Sequence, residues 1–136
     1  PVSMLLRSKN FSEAVAVEPL FYSEAVDAAY KNNNVQLVRC PAEEFKTEKK
    51  FDEVWMYNCL QHTMSPEAIL NNIKGLGKRL RIFDWIDIEA HEGHPHNLTA
   101  KMFVDALKLT PNDYKTVNLV QDKLMGRAIV INKTFV

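Results

Sequence analysis

The sequence predicts an α/β three-layer sandwich whose sheet is mostly parallel and closes in an antiparallel hairpin. Three observations carry that expectation. Short apolar runs alternate along the chain with segments of helical periodicity, the signature of a layered α/β domain. The early runs, such as "AVAV" and "EVWMY", lack polar alternation, as expected of strands covered on both faces in a parallel sheet. The last two strand-like runs are separated by only a short connection, which forces antiparallel pairing. A length of 136 residues suits one domain with one core, taken as 1–136.

The elements follow in order. Residues 2–9, "VSMLLRSK", suit a short helix with Ser3 near its start, and 13–18, "EAVAVE", a buried strand. A helix over 22–34 places Ala25, Val26, Ala29 and Tyr30 on one face and stops at an asparagine cluster. Strands are predicted at 35–39 and 51–58. Between 65 and 77 a Ser-Pro start and a glycine stop mark a helix. A fourth strand covers 79–85 and a helix covers 97–109, with Met102, Phe103, Ala106 and Leu107 in register. Strands at 114–121 and 126–135 close the chain.

Composition excludes several classes. With 17 acidic and 17 basic residues there is no electrostatic footprint for nucleic acid or an anionic membrane surface. No apolar stretch approaches the roughly 18 residues of a membrane helix. Cys40 and Cys59 lack paired spacing and read as reduced thiols, which places the chain in the cytoplasm.

The strands point to a site. Ligands of parallel sheets bind beyond the carboxyl ends of the strands. Four predicted ends carry polar or unusual residues: Glu18, Pro41-Ala42-Glu43, Asn58-Cys59 and Asp84-Trp85. Taken in order, "AVAVEPL", "NVQLVRCPAEEF", "KFDEVWMYNCLQHT" and "RLRIFDWID" resemble the class I S-adenosylmethionine-dependent methyltransferases, with their Rossmann-like sheet. The resemblance implies S-adenosylmethionine as cofactor. It gives Glu18 the two ribose hydroxyls, a match between a carboxylate's acceptor pair and a vicinal diol. By the same resemblance Pro19 and Leu20 border the adenine. Ala42 and Glu43 stand near the ring, with Pro41 where the family often has an acid. Asn58 and Cys59 lie under the methionine part, and His62 lies nearer the acceptor.

The resemblance begins after the family's first strand and glycine-rich loop, since all four glycines (75, 77, 93 and 126) follow Glu18. The domain is therefore expected to be N-terminally incomplete. The strand that would separate 13–18 from 51–58 is missing. Those two strands are expected to pair directly, to be bridged by a second copy in a homodimer, or to leave a gap.

"HEGHPH", 91–96, gathers three of the four histidines beside a glutamate. Its spacing fits no metal site, so it is read as a loop over the mouth of the site. His62, His94 and His96 are the candidates for proton removal, and Asp84, Trp85 and Asp87 for contact with a small-molecule substrate. Methyl transfer to such a molecule is the first functional reading. The second is a catalytically inactive remnant that acts as a fold or an assembly partner. A dehydrogenase is the weakest reading, because no G-x-G-x-x-G occurs.

Overall fold

The computed structural model describes residues 3–121 and 124–135. Its contacts divide the chain into two compact units, Pro1–Lys46 and Thr47–Val136.

In the first unit, strand β1 (Ala14–Val17) pairs in parallel with β2 (Val35–Val38), with Ala14 opposite Val35 and Val17 opposite Val38. Helix α1 (Glu24–Asn32) connects them. Its buried anchor is Tyr30, 1% exposed, which packs with Ala14, Ala16 and Val35 while Val26 and Leu37 close the cluster from its margin. Ala25, expected on that face, is exposed instead, because the face centres on Tyr30. The asparagines end the helix as expected: the Asn33 side chain donates to the Ala29 carbonyl across 2.8 Å, and Asn34 turns left-handed at φ 57°. The first predicted helix is only a 3-10 turn, Met4–Arg7, with the Ser3 hydroxyl accepting from the Leu5 amide. Val2, its predicted first residue, lies outside the described residues.

The second unit holds a four-stranded sheet in the order β3-β4-β6-β5, formed by Phe51–Tyr57, Gly77–Ile86, Leu124–Thr134 and Tyr114–Gln121. β3 and β4 are parallel, and β4, β6 and β5 are successively antiparallel. The closing hairpin is present, although residues 122–123 of its connection lie outside the described residues. Across both sheets the described residues form two parallel and two antiparallel pairs, so the parallel share is smaller than the apolar strands suggested. Alternation along β4 buries Leu80, Ile82, Asp84 and Ile86 on one face. Helices α2 (Pro66–Ile73) and α3 (Ala100–Leu107) pack against one another and bury Ile69, Leu70, Ile73, Phe103 and Leu107. Thr99 caps α3 by accepting from the Met102 amide, while Lys108 ends it in the left-handed region.

Direct pairing between the first and third strands, one of the expected outcomes, is not among the pairings of the described residues. Among the described residues β1 pairs with β2 and β3 with β4, so the backbone forms two sheets.

Candidate functional site

Glu18 follows β1, and its amide donates to the Val38 carbonyl, continuing the ladder by one bond. The carboxylate turns onto its own loop: Oε1 accepts the Leu20 amide at 3.1 Å and Oε2 the Tyr22 hydroxyl at 3.0 Å. Burial, then the bond to Glu18, raises the Tyr22 pKa, which keeps the phenol a donor. Arg39, just after β2, fastens the same loop. Its guanidinium binds the Leu20 carbonyl and the Asp27 carboxylate, and it lies 5.4 Å from the Phe21 ring centre and 5.6 Å from that of Tyr22. Pro19 and Leu20 are exposed, and Phe21 is 85% exposed. Each Glu18 oxygen retains a second lone pair, so a held carboxylate of this kind fits a diol. Ala42 and Glu43 are half-buried in the turn after β2.

In the second unit the residues after β3 and β4 meet. Asn58 takes a left-handed conformation (φ 53°) and Cys59 opens a 3-10 turn, Leu60–His62. Asp84 is expected at the carboxyl end of its strand, facing a substrate. Instead it lies inside β4 at 0% exposure. Its Oδ2 accepts the amides of Cys59 (3.2 Å) and Leu60 (2.8 Å), and Oδ1 accepts that of Trp85 (3.0 Å). Burial raises its pKa, and the three amides oppose the shift. The carboxylate therefore anchors the turn to the sheet. Trp85 is likewise within β4, its ring packed so closely over Gly126 that an added Cβ would lie 2.7 Å away. Asp87 is exposed and salt-bridged to Arg127 at 3.0 Å, itself bonded to Thr116, so it ties the ends of β4, β6 and β5 together.

All four histidines of the chain gather here. His62 Nδ1 bonds the Gly93 carbonyl at 2.8 Å, and in return His96 Nε2 bonds the Thr63 carbonyl at 2.7 Å. The His94 ring stands edge-on to His62 with centres 4.6 Å apart, and 4.5 Å from His91. Paired backbone bonds between His91 and His94, both 2.9 Å, close the loop. Burial, then the neighbouring His62 and His91, lower the His94 pKa, and its Nδ1 is buried with no partner. No group of three potential ligands is placed to hold a metal among the described residues. Nor is any helix among them long and apolar enough to cross a membrane.

Sequence reasoning missed Tyr22, Arg39 and Gln61. Gln61 is buried and donates to Asn58 Oδ1 at 3.0 Å; a polar residue in a loop gives no sign of its burial. For Tyr22, the spacing of four from Glu18 was the available signal.

No family model matches the chain, and no curated protein matches it. Solved structures do. The 1,6-didemethyltoxoflavin N1-methyltransferase of Burkholderia thailandensis, with 1,6-didemethyltoxoflavin and S-adenosylhomocysteine bound, superposes at a TM-score of 0.62 with 19% identity over 89% of this chain. The N-methyltransferase NodS of Bradyrhizobium japonicum, also with S-adenosylhomocysteine, gives 0.58 and 11% over 88%. The fold is that of the class I methyltransferases. The [4+2]-cyclase SpnF superposes at a TM-score of 0.65 with 12% identity over 90% of this chain. This chain spans 61%, 65% and 66% of the lengths of those three, in the order given.

Proposed function

We propose that the chain is a methyltransferase domain that binds S-adenosylmethionine and methylates a small molecule. The observation that carries the reading is Glu18. A carboxylate at the end of a parallel strand, oriented by one amide and one phenol, keeps a further lone pair on each oxygen for the ribose diol. Pro19, Leu20, Ala42 and Glu43 are assigned to the adenine side, and Asn58 and Cys59 to the methionine side. The cofactor, when bound, supplies a methyl group on a sulfonium for displacement by an acceptor nucleophile. The protein's share is to align the acceptor and take its proton, work for which a histidine suffices. His62, His94 and His96 are assigned to that task, with Asp87 at the rim. Asp84 and Trp85 shape the site from within the sheet.

Isothermal titration with S-adenosylhomocysteine tests the reading. Binding by the wild-type chain and its loss in Glu18→Ala, with circular dichroism unchanged, is the expected result. Equal binding by both would remove Glu18 from the ribose.

A second reading has its own observation. The split of the backbone into sheets β1-β2 and β3-β4-β6-β5 favours a domain that serves as a fold or assembly partner without turnover. Absence of S-adenosylhomocysteine binding by the wild-type chain would favour it. SpnF's name, a cyclase, is a reminder that this fold alone does not fix the chemistry.

A further inference from the structure

The reciprocal bonds between the 60–63 turn and the 91–96 loop fix more than position, because a carbonyl oxygen can only accept. Each imidazole nitrogen bonded to one must therefore carry the proton. His62, through Gly93, is the Nδ1–H form with its lone pair on Nε2. His96, through Thr63, is the opposite form, with Nε2 protonated. His91 Nδ1 accepts the Gly93 amide at 3.2 Å, which commits that lone pair and leaves its proton on Nε2. His94 Nδ1 is buried out of reach. The four rings thus differ in what they offer. His96 keeps a lone pair on Nδ1 but is half-buried, and His91 is exposed with its Nδ1 committed. His62 alone joins exposure to a weakly engaged lone pair: the Gln61 amide stands 3.5 Å from Nε2, at the outer limit of a hydrogen bond.

We propose that the 91–96 loop is the positioning element for His62, locking it in the Nδ1–H form so that Nε2 is the proton acceptor of the site. The use of that nitrogen rests on the methyl-transfer reading; its orientation does not. In the reaction Nε2 takes the proton that leaves the acceptor atom as that atom gains the methyl group, and the exposed ring returns it to water. The loop holds the ring from two sides. Gly93 fixes the tautomer directly, and His96 pins the backbone at Thr63, one residue beyond His62. Such a carbonyl partner orients the ring and supports the imidazolium that forms, since Nδ1–H donates in both charge states.

Two measurements on the full chain test this without cofactor. Long-range nitrogen-15 NMR at neutral pH should show His62 as the Nδ1–H tautomer and His96 as Nε2–H. In His96→Phe, His62 should shift toward a mixture of tautomers while the dispersed amide spectrum is kept. Diethyl pyrocarbonate, which reacts at an unprotonated ring nitrogen, should modify His62 several-fold faster than His91, His94 or His96 by peptide mass mapping. His62 found as Nε2–H, a tautomer indifferent to His96→Phe in a folded chain, or faster modification of another histidine would overturn the proposal. A chain with this tautomer that fails to bind S-adenosylhomocysteine would instead count against the cofactor reading and leave the positioning intact.

Discussion

The Tyr22 hydroxyl donates to Glu18 Oε2 across 3.0 Å, four residues along the same loop, and so holds the acid at the end of β1 in one orientation. A carboxylate left to water needs no phenol, whereas one that must meet a diol gains from losing its rotamer freedom beforehand.

Tyr22→Phe removes that bond and keeps the ring beneath Arg39. A net hydrogen bond of about 1 kcal/mol corresponds to roughly a fivefold loss of affinity for S-adenosylhomocysteine. The unfolding midpoint should move little, because the site is at the surface. Isothermal titration beside a urea melt separates the two effects. Unchanged affinity in a variant whose parent binds would detach Tyr22 from the site.

Asp84 carries a larger stability effect. Asp84→Ala strands the buried Leu60 amide, breaks the half-buried bond of Cys59 and leaves a void, at a cost of about 2–4 kcal/mol. Asp84→Asn keeps one oxygen for those amides but turns its NH₂ toward the network's donors, so about 1–2 kcal/mol is expected. Equilibrium urea unfolding measures both. Losses under about 0.5 kcal/mol would mean that the turn stands without the carboxylate.

His94 should make the second unit acid-sensitive. Burial, followed by the nearby His62 and His91, holds its pKa below the ordinary value near ~6.5. The folded state therefore binds this proton less tightly than the unfolded chain does. The resulting stability is fully present above the ordinary pKa and is lost as pH falls through the lower folded value. The groups that act on His94 are His62 and His91, and His62 also faces the Asp84 carboxylate. Urea midpoints followed from about pH 8 to about pH 5 should fall, and fall less in His94→Phe, whose ring still meets both neighbours. Parallel pH curves for the two proteins would assign the sensitivity elsewhere.

How far these features were legible depends on whether they are local. β5 was readable to the residue from "YKTVNLVQ", and α2 from its Ser-Pro start, because propensity and capping act within a few positions. The first helix shrank to a 3-10 turn, since four apolar or basic residues without a long periodic face cannot propagate a helix. Asp84 looked like a ligand because the strand was expected to end at Trp85. Pairing with β6 carries it on to Ile86, opposite Arg127, and buries the acid. The tautomers of His62 and His96 were beyond the sequence, since both partners are backbone carbonyls some thirty residues away.

The final prediction concerns the edge of the second sheet. β3 pairs with β4 on one side, and among the described residues no strand lies on its other side. Its residues Val54, Trp55, Met56 and Tyr57 are apolar in succession, with no proline, lysine or bulge to blunt the edge. Such a strand presents unpaired amides and carbonyls flanked by apolar side chains, a template for a strand from a second copy. The chain is therefore expected to form a homodimer through this edge, with sedimentation coefficients that rise with concentration. Tyr57 is the exposed apolar position on that strand, and Tyr57→Lys places a solvated charge where the partner would lie. The variant should sediment as a monomer at concentrations where the parent is dimeric, with its circular dichroism unchanged. A parent chain that stays monomeric to about 100 μM would rule the edge out as a self-association site.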